Sequence, residues 1–193
     1  GRRENVPARA TLLVQDAREP EPLVPLVESC DVVFHLAARV TIRGSVARFW
    51  DDVQSTLLST LAILEACRRA EQRPRRLVYA SSMAVYGDQD VLPIPEAAPL
   101  LPGSPYGIAK MASEAYVHAI APTLGMESVA LRYFNTYGSR QALTPYVGVL
   151  TIFRDLMRRG EPPTIFGSGE QVRDFIDVKD TARSTYLAAV APG

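Results

Sequence analysis

Tyr106 and Lys110 stand four residues apart in the run Tyr106-Gly107-Ile108-Ala109-Lys110. On a helix that spacing puts both side chains on one face. An ammonium beside a phenol favours the phenolate and draws its pKa down from about 10. A tyrosine tuned in this way is a general acid and base near neutrality. Ser82 ends an upstream apolar run, and its hydroxyl can hydrogen-bond the same reacting oxygen. A Tyr-Lys pair alone is also what a solvated surface helix carries. Ser81-Ser82 behind a buried strand sets this pair apart. So does the scarcity of lysine, with nineteen arginines against only Lys110 and Lys179.

Such side chains need a scaffold, and the apolar pattern supplies one. Residues 11–14, 31–36, 76–81 and 127–133 read as strands, the second nearly all apolar and so buried on both faces. Helical periods fill 22–29, 46–70 and 105–124, the last opening on Pro105, a residue favoured in a first helical turn. Strands alternating with helices imply an α/β fold, a doubly wound parallel sheet with helices on both faces. After Gly138 the composition shifts. A helix is expected over 144–159, a short strand over 164–166 and a final helix over 177–190. The expected division is 1–138, a partial dinucleotide-binding domain, and 139–193, the start of a smaller substrate-binding lobe.

Composition narrows the function. The chain has 193 residues, 47% hydrophobic and 22% charged, with 21 basic and 21 acidic side chains. Those proportions are those of a globular protein. Zero net charge argues against binding nucleic acid or anionic lipid through phosphate neutralisation. No apolar run approaches the roughly 18 residues that cross a membrane. Cys30 and Cys67 lack metal-ligand spacing and read as buried thiols of a reducing compartment, so a cytoplasmic location and no metal are expected. His35 reads as a hydrogen-bonded histidine of a buried strand, and Trp50 as a packing residue. The run 68–76 reads as a solvated basic helix end.

Ligands of open parallel sheets bind beyond the carboxyl ends of the strands. The segments there are Gln15-Asp16-Ala17, Ala37-Ala38-Arg39, Ser81-Ser82-Met83-Ala84 and Phe134-Asn135-Thr136. They are small or hydrogen-bonding, which lets a flat ligand approach the backbone.

The run 77–87, Leu-Val-Tyr-Ala-Ser-Ser-Met-Ala-Val-Tyr-Gly, followed by Ser104-Pro105-Tyr106-Gly107-Ile108-Ala109-Lys110, resembles the extended short-chain dehydrogenase/reductase family. Within it, the chain is similar to the nucleotide-sugar epimerase and dehydratase branch. The likeness continues through Leu131-Arg132-Tyr133-Phe134-Asn135-Thr136-Tyr137-Gly138 and the run 165–176. The resemblance implies a Rossmann-like fold, NAD as cofactor and a nucleotide sugar, in first place a UDP-sugar, as substrate. It implies Tyr106 as acid and base, with Lys110 lowering its pKa and holding the nicotinamide ribose, and Ser82 on the sugar hydroxyl. For the cofactor it implies Asp16, Ala17, Leu36, Ala37, Ala38, Arg39, Thr56, Ser81 and Phe134 together with Tyr106 and Lys110. For the substrate it implies Met83, Asn135 and Arg173 together with Ser82 and Tyr106. A homodimer formed through the helices of 46–70 and 105–124 is implied as well.

Three departures qualify the resemblance. The family opens on a strand and a glycine-rich turn for the pyrophosphate. Here the only GxG is Gly167-Ser168-Gly169, so an internal fragment of a longer enzyme, lacking the first strands, is expected. Thr56 stands where the family commonly has asparagine. Met83 and Ala84 stand where the branch's dehydratases carry an Asp-Glu pair, which favours epimerisation at C4 through a transient 4-keto sugar. A decarboxylase or uronate epimerase is the alternative, with Arg39, Arg43 or Arg140 for a carboxylate. A non-catalytic nucleotide-binding module is another.

Overall fold

The computed structural model describes residues 2–39, 45–141 and 148–192. Its main sheet is parallel, in the order β1 (Val32–His35), β2 (Arg76–Ser82), β3 (Glu127–Tyr133). Helices pack on it as in a Rossmann-like fold. The register places His35 opposite Tyr79 and Ser82 opposite Tyr133. All seven residues of β2 are buried, as expected for a central strand covered on both faces.

Alternation along β2 divides its neighbours. Leu77 and Tyr79 join a core with α1 (Val24–Glu28), α3 (Ser59–Arg69) and α4 (Pro105–Ile120). Arg76 turns to α6 (Val178–Val190). Its guanidinium donates to the carbonyls of Ala188 at 2.9 Å and Ala191 at 2.6 Å, and pairs with Glu127. Arg75 adds a bond of 2.9 Å to the carbonyl of Ala189. A helix end leaves carbonyls without intrahelical partners, and these arginines satisfy them.

The helical stretch over 46–70 is composite. A 3-10 turn (Val46–Arg48) leads into α2 (Phe49–Asp52), a π turn (Val53–Leu58) and then α3. Hydroxyls explain the irregularity. Ser55 donates to the carbonyl of Asp51, Ser59 to that of Ser55, and Thr60 to that of Thr56, at 2.6, 2.9 and 2.8 Å. Side-chain donors of this kind compete for the carbonyls of the helix ladder. Helix α4 is more regular. Ser104 caps it by accepting from the Gly107 amide at 3.1 Å, and Pro105 opens it.

A second sheet pairs β4 (Asn135–Tyr137) with β5 (Phe175–Asp177) in parallel. Helix α5 (Val149–Arg158) falls within the expected helix of 144–159, of which 144–147 lie outside the described residues.

Four expectations are corrected here. Residues 11–14 belong to neither sheet, and Val14 is 91% exposed. A strand needs a hydrogen-bonded neighbour, and neither sheet supplies one to this segment. Residues 164–166 likewise form no strand, and Ile165 and Phe166 are exposed. Trp50 is 60% exposed, because it lies with Phe49 on the outer side of the short α2. Cys30 is exposed at the turn between α1 and β1, while Cys67 is buried in α3; both are free thiols. No described helix is long and apolar enough to cross a membrane.

Replacing Arg76 by Met should lower stability by about 1–2 kcal/mol, since it leaves the Ala188 and Ala191 carbonyls without their donor while the exposed Glu127 returns to water. Urea unfolding measures this. An unchanged midpoint would show that the grip on α6 adds nothing.

Candidate active site and dinucleotide groove

Three elements meet at the carboxyl end of β2. Ser82, extended and nearly buried, ends the strand, and its Oγ accepts from the Ala84 amide at 3.2 Å to cap a 3-10 turn (Met83–Val85). Tyr106 lies in the first turn of α4, and its amide donates to Ser45 Oγ at 2.9 Å. Ser45 in turn donates to the buried carboxylate of Asp52. The start of α4 is thereby tied to α2. Gly107 lets the helix close on the turn: a Cβ there would lie 2.5 Å from the Ala84 carbonyl oxygen.

Lys110 is one turn further along α4 and 3% exposed. Its Nζ donates to the Ala80 carbonyl at 2.6 Å. It lies 4.9 Å from the centre of the Tyr79 ring and 6.0 Å from that of Tyr106. Both rings present faces that attract a cation. Burial draws the ammonium down to about 8. The expected lowering of the Tyr106 pKa is not the balance found. Burial pushes the phenol up, hydrogen bonding from Ser82 opposes this, and the charge of Asp52 adds to the rise. Lys110 spends its bond on Ala80 rather than on the phenol.

His35 lies beneath this pair, its ring 5.4 Å from that of Tyr79. Thr60 gives its one hydroxyl proton to the Thr56 carbonyl, so at 2.9 Å it accepts from His35 Nε2. That fixes the imidazole as its Nε2–H tautomer, with Nδ1 buried and without a partner. Burial, then the charge of Lys110, lowers its pKa to about 3.

A separate groove of about 480 Å³ opens beside the end of β1. Asp16, Ala17, Ala37, Ala38 and Arg39 line it, as expected, and so do Arg18, Arg48, Asp51, Gln54, Ser55 and Ser59. The alanines leave the wall low enough for a ligand to reach the backbone. Arg18 binds both oxygens of Asp16 and holds that carboxyl at about 2. Asp51 pairs with both Arg39 and Arg48. Small walls beside mixed charge suit the polar, flat and anionic parts of a dinucleotide.

Other expected residues are placed differently. Leu36 is exposed and does not line the groove. Thr56 is fully buried against α4, with Ser113 donating to its carbonyl at 3.4 Å, while Ser55 and the buried Ser59 line the groove instead. The Ser81 hydroxyl goes to Glu114 at 2.7 Å. Asn135 reaches Met83 Sδ at 3.7 Å and the Asp174 carbonyl at 2.9 Å, which brings it next to the Arg173 segment. Arg173 itself is exposed and bonds the Val172 carbonyl. Phe134 is half-buried between β3 and β4. Arg140 has a positive φ of 66°, and Arg43 lies outside the described residues. Sequence reasoning missed Ser45, Asp52 and Glu114; a buried carboxylate two helical turns after Tyr106 was the available signal for the last.

A parallel sheet with flanking helices thus carries a Tyr-Lys pair and a groove of small residues at its carboxyl edge, as a Rossmann-like fold does. The chain belongs to the NAD dependent epimerase/dehydratase family, whose model matches residues 1–192. It is 36% identical over 190 residues to a putative UDP-glucose 4-epimerase of Methanocaldococcus jannaschii, covering 97% of this chain and 62% of that protein. The solved UDP-glucose 4-epimerase of Thermotoga maritima with UDP-glucose superposes with a TM-score of 0.92 at 34% identity, covering 100% of this chain and 63% of that one. The UDP-glucuronic acid 4-epimerase of Bacillus cereus, in complex with UDP-glucuronic acid and NAD, gives a TM-score of 0.79 at 32% identity, covering 89% and 53%. The chain thus spans about three-fifths of the length of the first two relatives and about half of the third.

His35 makes stability fall in acid. The unfolded imidazole takes up a proton below about 6.5, whereas the folded one does not until about 3. Its contribution is therefore whole above pH 6.5 and is lost as pH falls toward 3. Denaturant titrations of the wild type and His35→Gln should show a smaller loss for the variant across that window. Parallel curves would contradict a histidine buried in its neutral form.

Proposed function

We propose that this chain carries the proton-transfer site of a nucleotide-sugar 4-epimerase, with a UDP-sugar, UDP-glucose in first place, as substrate. The observation that supports it most is the buried pair Tyr106 and Lys110 beside Ser82 at the end of β2, with the Lys110 ammonium 6.0 Å from the centre of the Tyr106 ring. Met83 and Ala84 lack the protons a dehydration needs, which favours inversion over loss of water. NAD, held by the groove of Asp16, Ala17, Ala37, Ala38 and Arg39, would supply the reversible hydride acceptor for C4.

The residues of this chain handle everything else. Ser82 orients the sugar 4-hydroxyl toward Tyr106. Burial keeps the Tyr106 phenol protonated in the chain alone, so it must first give up that proton; the phenolate then takes the hydroxyl proton as the C4 hydride leaves, giving a 4-keto sugar. The sugar turns over, a hydride returns to the opposite face, and Tyr106 gives the proton back, so no atom is gained or lost. Lys110 supplies the positive charge that steadies the phenolate. Asp16, Ala17, Ala37, Ala38 and Arg39 hold the dinucleotide. Asn135 and Arg173 meet the substrate diphosphate, where a guanidinium fork suits phosphate oxygens. Phe134 and Met83 flank the reacting ring. The division near Gly138, a homodimer through the exposed sides of α2 and α4, and a cytoplasmic location belong to the same reading.

A second reading is a UDP-uronate 4-epimerase. The likeness to the UDP-glucuronic acid 4-epimerase of Bacillus cereus favours it. The proton chemistry would be the same, with a cationic pocket for the carboxylate.

Protein carrying this chain, given NAD, should interconvert UDP-glucose and its C4 epimer, read by chromatography of the products. Tyr106→Phe should cut turnover at least about 100-fold, the usual scale of general acid–base catalysis, and still bind UDP. Turnover of UDP-glucuronate in place of UDP-glucose would select the second reading. Undiminished turnover in Tyr106→Phe would contradict both.

A further inference from the structure

Helix α4 carries a third buried polar residue in register with its Tyr-Lys pair. Glu114 follows Lys110 by four residues and Tyr106 by eight, and it is 5% exposed. Its carboxylate has two kinds of partner. Arg132 of β3 closes on it with Nε at 3.2 Å and a terminal nitrogen at 2.5 Å. Ser81 of β2 donates to it at 2.7 Å. Arg132 then extends to the Tyr86 hydroxyl at 2.8 Å and the Glu96 carbonyl at 3.0 Å, with its guanidinium 4.8 Å from the centre of the Tyr86 ring. Burial pushes the Glu114 carboxyl up, but Arg132 and Ser81 together outweigh it, so the group stays ionised.

Four segments therefore meet at one carboxylate: α4, the end of β2, β3 and the loop between β2 and α4. Ser81 is the important link, because it sits between two residues that touch the reactive pair. Ala80 gives Lys110 its carbonyl, and Ser82 caps the turn whose Ala84 carbonyl packs against Gly107, the neighbour of Tyr106. β1 pairs with β2 only as far as Tyr79, whereas β3 pairs with it through Ser82, so the segment 80–82 is held within the sheet from one side only. The Ser81 hydroxyl is its side-chain tether to α4.

We propose that Glu114, held by Arg132, is a positioning residue for the Tyr106–Lys110 site and acts through Ser81 to fix the end of β2. The role rests on the reading of that site as the reactive one. It sets where the Ala80 carbonyl meets the ammonium and where the Ser82 hydroxyl meets the phenol.

The chain offers a direct readout, since it holds only two lysines. Lysine labelled with carbon-13 at Cε gives one NMR signal for Lys110 and one for Lys179, and each can be followed through its titration. Lys110 faces Tyr79 from β2, Tyr106 from its own helix and His35 from β1, with Asp52 of α2 acting on Tyr106. Loss of a nearby negative charge alone would move Lys110 down. Release of the β2 end admits water and moves it up.

Ser81→Ala changes no charge and cuts only the tether. It should raise the Lys110 midpoint by at least about half a pH unit, as relief of burial does, and leave Lys179 unmoved. Glu114→Gln should move it in the same direction. Ser81→Thr keeps the hydroxyl and should titrate with the wild type. A Lys110 midpoint at or below the wild-type value in folded Ser81→Ala would overturn the proposal. So would a Ser81→Thr midpoint displaced as far as that of Ser81→Ala. If Glu114→Gln does not fold, the two Ser81 variants decide. These titrations use no substrate, so the wrong sugar assignment would leave them unchanged.

Discussion

An ammonium is costly to remove from water unless charge or hydrogen bonds replace the lost hydration. Lys110 is 3% exposed and carries no carboxylate partner among its described bonds. A backbone carbonyl and two tyrosine faces replace its water instead. Much of the surrounding structure follows from that arrangement. β2 must run past the end of β1 to bring the Ala80 carbonyl within reach, and Tyr79 must lie flat beneath the lysine. His35 must stay neutral, because burial and a neighbouring positive charge both oppose its protonation. Its one bond to Thr60 is one that a neutral ring can make.

The same constraint separates two jobs that share one sheet edge. The groove beside β1 is open, charged and lined by alanines. The end of β2 is closed: Lys110 bonds the Ala80 carbonyl and Ser81 bonds Glu114, while His35 Nδ1 and the Tyr79 hydroxyl stay buried without partners. Asp52 and Ser45 fasten the start of α4, and Glu114 fastens its third turn to β2 and β3. On the proposed reading the end of β2 moves a proton, a task that needs this rigidity more than holding a long ligand does.

The central strands, α4 and the Tyr-Lys pair were legible in the sequence, because each is written in local pattern: an apolar run, a Ser-Pro start, a spacing of four. The groove was legible in part, since Ala37 and Ala38 follow a buried strand. Thr56, which the resemblance puts on the cofactor, is buried against α4 by a π turn that no linear motif specifies. Residues 11–14 have the composition of a strand, but strand formation depends on a neighbour that composition does not specify. The sign of the Tyr106 shift was missed for a related reason. Spacing places the ammonium near the phenol, whereas burial and the competing Ala80 carbonyl belong to tertiary structure. Glu114 looked like an ordinary helical acid until β3 brought Arg132 to it.

The most direct test of this account is the titration midpoint of Lys110 in the unaltered protein, followed by NMR of the labelled side chain with Lys179 as reference. The account predicts a Lys110 midpoint near 8, drawn down by burial from the ordinary 10.5. A Lys110 that titrates at the ordinary value would mean a solvated ammonium, and the closed site at the end of β2 would not exist.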